Sequence, residues 1–342
     1  QWAREHITGG YVGPKINSVH DVLKENDIIY ISTNKNGDYI LEQIPEINGG
    51  IVVMDPYSGR VVALSGGFDF DISNFNRASQ AKRQPGSAFK PFVYISALEN
   101  GLQPNSLILD APFVVDQGER LGKWKPENYG KKFYGPSPLR KGIENSRNLM
   151  TIRIAQYLGM DKISEIANRV DIMNDMPKVL SMALGAGETT LIELTSAYAS
   201  FVNGGKKISP IMIDRIQDRR GKNIFLADFG TCSNCADPFI AENPFPIFEN
   251  NNEQIFDPIN SYQMVSILKG AVDRGTGRKT KITGFEIGGK TGTTNKNTDA
   301  WFIGFTSDLI IGVYAGFDKP RTLGKRETGS SIAVPIFKDF LT

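Results

Sequence analysis

The stretch Arg83-Gln-Pro-Gly-Ser-Ala-Phe-Lys-Pro-Phe92 decides how the rest of this 342-residue chain is interpreted. Its Pro-Gly pair interrupts regular structure, and the segment from Ser87 to Asn100 that follows carries apolar residues at helical spacing and stops at a glycine. A breaker pair before such a pattern and a glycine after it are typical of the two ends of a helix. We therefore predict a helix that begins near Ser87.

Ser87 and Lys90 lie three positions apart, so on this helix the Lys90 amine can reach the Ser87 hydroxyl. A serine is a weak nucleophile until a base takes its proton, and a desolvated lysine can act as that base because burial lowers its pKa. The same Ser-x-x-Lys spacing occurs at Ser32, Ser79 and Ser266, but only Ser87 follows a breaker pair and opens an apolar-faced helix. The alternative is that Ser87 simply begins a core helix.

A second motif, Ser146-Arg-Asn148, lies where one predicted helix breaks and the next begins. Such a break presents side chains into a cleft. Ser146 is a candidate for relaying a proton to a leaving group, and the Asn148 amide is a candidate for holding a substrate backbone. The alternative for Ser146 is an ordinary helix cap.

A third motif, Lys290-Thr-Gly-Thr293, lies on a predicted strand, where Lys290 and Gly292 face one way and Thr291 the other. Gly292 would let a substrate backbone approach closely. The backbone N–H groups of Ser87 and Thr293 are candidate oxyanion donors. The alternative is a surface strand with no chemistry.

Residues 284–291 also match the P-loop pattern G-x-x-x-x-G-K-[ST]. A P-loop needs a buried strand before the glycine turn and a helix after it. Here residues 278–283 make a poor buried strand, and the residues that follow are Gly/Asn/Thr-rich and lead into another strand. We therefore reject a nucleotide site.

Composition excludes several classes of protein. The 39 Lys+Arg residues nearly balance the 37 Asp+Glu residues, so no nucleic-acid partner is expected. No run approaches the ~18 uncharged apolar residues of a membrane helix. The chain begins at Gln1 without a signal segment, so we expect a fragment or processed product whose targeting or anchoring segment lies upstream.

Cys232 and Cys235 lie three positions apart in a loop-like segment, which favours a local disulfide in an oxidising compartment. A zinc half-site and a redox pair are the alternatives. The zinc site lacks a second ligand pair, because His6 and His20 lie far upstream, and the redox pair lacks a flanking strand and helix.

The element pattern predicts an α+β fold with a central antiparallel sheet, because strands lie at both ends of a helical middle. A hairpin at 50–64 opens the main domain, and strands at 286–317 close it. Residues 217–256 are loop-like and form an excursion from it. Further helices are predicted at 148–158, 161–170 capped by Asp161, 190–203, 258–274 and 331–341.

Ser-x-x-Lys, Ser-x-Asn and Lys-Thr-Gly in this order resemble the penicillin-binding protein and serine β-lactamase superfamily. The likeness to its bifunctional class A penicillin-binding proteins extends over residues 45–342, and residues 1–44 resemble the C-terminal part of their small OB-like β domain. The residues that carry it are Gly66-Gly-Phe-Asp-Phe, Asn76-Arg-Ala, 83–92, Asn128-Tyr, Tyr134-Gly-Pro, 146–148, Ala183-Leu-Gly, Ala197-Tyr-Ala-Ser-Phe and Gly289-Lys-Thr-Gly-Thr-Thr.

The resemblance implies a peptidoglycan DD-transpeptidase with an all-helical subdomain beside the sheet, acting at the periplasmic side of the inner membrane without a cofactor. Its partners would be stem peptides and β-lactams, and the family's glycosyltransferase half and membrane anchor would lie outside this chain. Ser87 would be acylated, with Lys90 as base and Ser146, Asn148 and Lys290 assisting, while Thr291 and Thr293 bind the substrate carboxylate.

Two alternatives to the transpeptidase function stay open. One is a DD-carboxypeptidase or β-lactamase of the same fold, although the Glu-x-x-Leu-Asn motif with which common β-lactamases position water is missing from the sequence. The other is a β-lactam sensor domain without catalysis. Arg147 inside Ser-x-Asn departs from the Asp usual in β-lactamases and is common in class A penicillin-binding proteins.

Overall fold

The computed structural model describes residues 16–34, 36–116, 122–227 and 252–342, and the backbone of short strands at 6–7, 10–11, 231–232 and 248–249. In this part the helices are α1 Lys90–Glu99, α2 Leu139–Glu144, α3 Asn148–Leu158, α4 Met160–Arg169, α5 Leu191–Val202, α6 Pro258–Asp273 and α7 Ala333–Leu341. Short 3₁₀ helices lie at Val19–Asp21, Gly86–Phe89, Leu180–Leu184, Arg278–Thr280 and Asn295–Asn297.

One five-stranded antiparallel sheet forms the centre of the fold. Its strands are β1 Ile47–Met54, β2 Val61–Ser65, β3 Gly288–Thr293, β4 Asp299–Phe305 and β5 Ile310–Phe317. They are ordered β3-β4-β5-β1-β2, so β3 is an edge strand. The β1–β2 hairpin joins strands from the far end of the chain, as predicted from strands on both sides of a helical middle.

Short two-stranded pairs lie outside this sheet. They are His6–Ile7 with Gly10–Tyr11, Tyr30–Thr33 with Tyr39–Glu42, Leu107–Asp110 with Gly135–Pro138, Val115–Asp116 with Lys123–Trp124, Arg215–Gln217 with Asn223–Leu226, and Thr231–Cys232 with Phe248–Glu249.

Both faces of the central sheet are covered. Val52 and Ile303 belong to the large core shared with the helices, whereas their neighbours Val53 and Phe302 pack with α7. The Phe302 ring meets the ring of Phe337 on α7 edge to face at 4.9 Å. A sheet covered on both sides buries every residue along a strand, which explains why β5 reads as a continuous apolar run instead of an alternating one.

The helical subdomain is built around α1, which is buried from Lys90 to Leu98. A helix apolar on all sides must be enclosed by other elements. The side chains of α3, α4, α5 and α6 join those of α1 in the same core. Because α1 follows directly after the turn at Gly86–Phe89, this enclosure holds that turn in place.

Predicted helix ends agree with the structure where a cap is local. At α5 the Thr190 hydroxyl accepts from Glu193 N–H at 3.2 Å, and the Glu193 carboxylate accepts from Thr190 N–H at 2.9 Å. Asp257 accepts from Ile259 N–H at 2.8 Å and begins α6. Helix α3 spans the predicted residues and ends at Gly159 with φ of 83°.

Two expectations are wrong. Asp161 is not the cap of α4, because the helix begins one residue earlier at Met160 and the Asp161 carboxylate instead pairs with Lys178. The excursion at 217–256 is not uniformly loop-like, since Asn223–Leu226 forms a hairpin with Arg215–Gln217. The predicted Cys232–Cys235 disulfide falls outside the described residues, because the structure describes neither of the two side chains.

The aromatic cluster under α1 predicts a large loss of stability for Phe92→Ala. Phe92 is fully buried, and its ring lies 5.4 Å from Tyr198 and 5.3 Å from Phe201. Truncating such a side chain removes burial and leaves a cavity, so the free energy of unfolding should fall by about 3–5 kcal/mol in chemical denaturation. Phe340→Ala, at a half-exposed position, is the control and should change little.

Candidate active site

The turn that carries Ser87 lies directly against the edge strand β3. A Cβ added at Gly86 would lie 2.5 Å from the Thr293 carbonyl oxygen, and one at Gly292 would lie 2.4 Å from the Pro85 carbonyl oxygen. A glycine on each element therefore permits the contact. The space beside Gly292 is filled by this turn, so the expectation that Gly292 makes room for substrate is corrected: it makes room for the segment bearing Ser87.

Ser87 lies in the 3₁₀ turn Gly86–Phe89, not in the first turn of an α-helix. Side chains three residues apart are eclipsed in a 3₁₀ turn, which keeps Ser87 and Lys90 on one side. Ser87 is half-buried and its hydroxyl forms no hydrogen bond within the described residues, so the reach of the Lys90 amine to this hydroxyl stays a prediction. The Ser87 N–H is likewise unbonded there, as expected at the beginning of a helix.

Two buried lysine amines meet at Ser146. The Lys90 Nζ donates to the Ser146 carbonyl oxygen at 2.8 Å, to the Asn148 Oδ1 at 2.6 Å and to the Ser146 Oγ at 3.3 Å. From β3, the Lys290 Nζ donates to the Ser146 Oγ at 3.0 Å and to the Thr291 carbonyl oxygen at 2.8 Å. The structure thus brings together four of the predicted site residues from three motifs.

Burial makes both amines weakly basic. Burial of Lys90, and secondarily the nearby Lys290, lowers the pKa of Lys90 well below its ordinary value. Burial lowers the pKa of Lys290 from 10.5 to about 7. An ammonium in a low-dielectric interior without a counter-charge is unstable, and a second one beside it adds repulsion.

The hydrogen-bond partners of Lys90 leave a position for accepting a proton. Two of them, the Ser146 carbonyl and the Asn148 Oδ1, can only accept. A neutral amine has two N–H groups for these partners and one lone pair left over. That lone pair can accept from a hydroxyl, so the geometry is compatible with Lys90 as a general base.

Ser146 has an unusual backbone conformation. It follows the end of α2 and has φ of 54°, in the left-handed region that costs a non-glycine residue about 1 kcal/mol. Its N–H donates to Ile143 O at 3.1 Å, and Arg147 N–H donates to Gly142 O at 2.8 Å. These bonds close α2 and turn the Ser146 side chain toward both lysines.

Asn128 positions Asn148, a role that the motif analysis missed. The Asn128 Oδ1 accepts from Asn148 N–H at 2.9 Å and from Leu149 N–H at 3.3 Å, which caps α3 from outside its own sequence. Its Nδ2 donates to the buried Asp110 at 2.7 Å. Asn148 in turn donates to Glu127 O at 2.7 Å. The one sequence signal was the resemblance of Asn128-Tyr to the family.

The two threonines of β3 point to different neighbours. The Thr291 hydroxyl is hydrogen-bonded to the Thr276 hydroxyl at 2.9 Å, and the Thr293 hydroxyl accepts from Gly329 N–H at 3.1 Å. The Thr293 carbonyl faces Gly86, off the edge of the sheet. In an antiparallel strand the N–H and C=O of one residue point to the same side, so the Thr293 N–H also faces the Ser87 turn.

The structure also excludes a P-loop at residues 284–291. Lys290 is a buried strand residue, and β3 continues through Thr293 into a short 3₁₀ turn and then β4, with no helix to receive a phosphate. Among the described residues no group of three or more His, Cys, Asp or Glu side chains could hold a metal ion. In the same part of the chain no helix is long and apolar enough to cross a membrane.

Sequence comparison assigns the chain to a family. The family described as penicillin binding protein transpeptidase domain matches residues 49–342, and the penicillin-binding protein OB-like domain matches residues 1–47. The chain therefore belongs to the penicillin-binding protein transpeptidase family. Within it, the chain is similar to proteins named penicillin-binding protein 1A.

Several relatives illustrate this similarity. Penicillin-binding protein 1A of Rickettsia conorii is 45% identical over the whole chain, and that of Pseudomonas aeruginosa is 37% identical over 98% of it. The chain spans only 42% and 45% of these two proteins. The crystal structure of penicillin-binding protein 1A from Haemophilus influenzae has a TM-score of 0.81 at 33% identity, covering 92% of this chain and 50% of that one.

The buried Lys290 predicts that stability depends on pH. Since its pKa is about 7 when folded and 10.5 ordinarily, the unfolded chain binds one more proton between these values. Stability therefore rises with pH through this window, by at most ~1.4 kcal/mol per pH unit. Lys290→Met cannot bind this proton, so its stability relative to the parent should decline as the pH rises from 7 to 10 in urea denaturation.

Lys319→Met, which removes an exposed lysine instead of a buried one, is the matched control. If the difference for Lys290→Met were flat, Lys290 would keep its proton in the folded protein and the assignment of a weakly basic amine would be wrong.

Proposed function

We propose that this chain is the transpeptidase part of a class A penicillin-binding protein and cross-links peptidoglycan stem peptides through an acyl-Ser87 intermediate. The observation that carries the proposal is the pair of buried amines, Lys90 and Lys290, that share the Ser146 hydroxyl beside the Ser87 turn. We place the boundary between the small OB-like domain and the transpeptidase domain near residue 45.

In the first step the Ser87 Oγ attacks the carbonyl carbon of the penultimate D-alanine. The hydroxyl proton passes to the neutral Lys90 amine, and the oxyanion is received by the N–H groups of Ser87 and Thr293. The C–N bond then breaks and the terminal D-alanine leaves as an amine. Its proton comes from Lys90 by way of the Ser146 hydroxyl, which Lys290 holds in place.

In the second step an amine of a neighbouring stem peptide attacks the acyl-Ser87 ester. The amine loses a proton to the same base, the new amide forms, and Ser87 leaves as a hydroxyl. Thr291 and Thr293 bind the terminal carboxylate of the donor before it is cleaved, and Asn148 holds its backbone. No cofactor is needed, because the proton that leaves with D-alanine is replaced by the one that the acceptor amine gives up.

β-Lactams would acylate Ser87 in the same way. Their amide is attacked as the D-Ala-D-Ala bond is, but the leaving nitrogen stays tethered, so the ester persists. One relative, PonA1 of Mycobacterium tuberculosis, has been solved in complex with penicillin V, and at 23% identity it is similar to this chain in fold. We place the reaction outside the cytoplasm, where stem peptides are cross-linked, in a longer protein with a membrane anchor.

Labelling with a fluorescent penicillin tests the nucleophile. The parent chain should form a stable adduct, and Ser87→Ala should lose it entirely while its melting temperature is unchanged, because only the attacking oxygen is removed. Ser79→Ala, which changes the other Ser-x-x-Lys serine of this region, is the matched control and should label normally. Undiminished labelling of Ser87→Ala would exclude Ser87 as the acylated residue.

The fate of the acyl-enzyme separates transpeptidation from the alternatives. With a stem-peptide thioester as donor and a D-amino acid as acceptor, the aminolysis product should exceed the hydrolysis product. A chain that released only acid would be a carboxypeptidase, and one that labelled with penicillin but converted no donor would be a sensor.

A further inference from the structure

The carboxylate of Glu144 is fully buried, two residues before Ser146 and outside the hydrogen bonds used in the proposed reaction. Arg274 from the end of α6 binds it with two nitrogens, the Nε donating to Oε2 at 3.1 Å and the Nη2 to Oε1. Lys141 adds a further contact at 3.1 Å and Arg140 one at 3.6 Å. A charge buried this deeply persists only when it is paired, and two-point binding by arginine fixes its orientation.

The main chain of Glu144 is held as well. Its carbonyl oxygen accepts from Thr276 N–H at 3.0 Å, and a Cβ at Gly275 would lie 2.0 Å from the same oxygen. A Cβ at Gly270 would lie 2.5 Å from the Glu144 Oε1. The segment at the end of α6 therefore packs closely on Glu144: a side chain at Gly275 would collide with its main chain, and one at Gly270 would displace its carboxylate.

The same segment reaches the strand that bears Lys290. Thr276 is hydrogen-bonded through its hydroxyl to Thr291 of β3 at 2.9 Å. One short segment thus contacts the end of α2 on one side and the edge strand on the other. Ser146 follows the end of α2 and Lys290 lies on the edge strand, so the segment contacts both parts of the chain whose side chains must meet.

We propose that Glu144, Arg274 and Thr276 form a positioning clamp that sets the Ser146 hydroxyl between the two catalytic lysines. Glu144 touches no reacting atom and acts through Ser146, so it is a positioning residue. This inference rests on the proposed function. Ser146 lies 3.3 Å from one amine and 3.0 Å from the other, and its left-handed backbone relaxes unless neighbouring groups hold it.

Glu144→Gln tests the clamp because it keeps the shape of the side chain and removes the charge that Arg274 binds. A displacement of Ser146 by about 1 Å should slow acylation by roughly 10- to 100-fold. Stopped-flow measurement with a chromogenic cephalosporin separates the acylation rate constant from the dissociation constant of the non-covalent complex. We expect the rate constant to fall and the dissociation constant to stay unchanged.

The burst amplitude counts the active molecules, so the rate constant per active molecule is independent of any loss of folded protein. A purely structural role would lower the melting temperature or the amplitude and leave this rate constant at the parent value, which would overturn the clamp. Glu165→Gln is the matched control, since Glu165 also pairs with an arginine at 2.7 Å but is exposed and remote from the site.

Arg274 provides a second test should Glu144→Gln fail to fold, because its side chain is 44% exposed. Arg274→Lys keeps the charge and should retain more of the acylation rate constant than Arg274→Ala. Parent rate constants in both variants would overturn the clamp. Failure of the parent chain to be acylated, or acylation of Ser87→Ala, would instead refute the proposed function.

Discussion

The site depends on one constraint, the burial of two lysine amines in the protein interior. Lys90 and Lys290 are both fully buried, and within the described residues neither forms an ion pair with a carboxylate. A lysine in water keeps its proton until about pH 10, whereas two amines in a low-dielectric interior cannot both be charged at neutral pH without a large cost. The lowered pKa of both lysines beside the serine turn is therefore a consequence of packing, and a weakly basic amine is the property that the proposed acylation needs.

Keeping such a pair in place requires a rigid frame. The turn at Gly86–Phe89 is held between the edge strand and α1, which is itself enclosed by the core of the helical subdomain. Tyr198 adds a hydrogen bond from its hydroxyl to the Ala88 carbonyl, so α5 also binds the turn. The buried lysines and the left-handed Ser146 each cost stability. The enclosed core and the sheet covered on both faces offset that cost.

Much of the fold and of the site could be predicted because the signals are local. The capping box at Thr190, the Asp257 cap and the glycine after α3 each act within a few residues, and the structure has all of them. The prediction was wrong for Asp161, because α4 begins at Met160 and its N-cap residue is Gly159. It was also wrong about the open side of Gly292, because the element filling that space is about two hundred residues away in sequence.

The sequence by itself nominated the candidate nucleophile, base and oxyanion donors of the proposed reaction, since such groups are recognised by residue type, spacing and position at element ends. It also determined the α+β class, through the periodicity of its apolar residues. Only the tertiary structure decided that Lys90 bonds Ser146 and Asn148 and not Ser87, that Asn128 caps α3, and that Glu144 is buried against α6. Hydrogen bonds and desolvation between distant segments depend on how the chain packs, and packing is not encoded in any one local pattern.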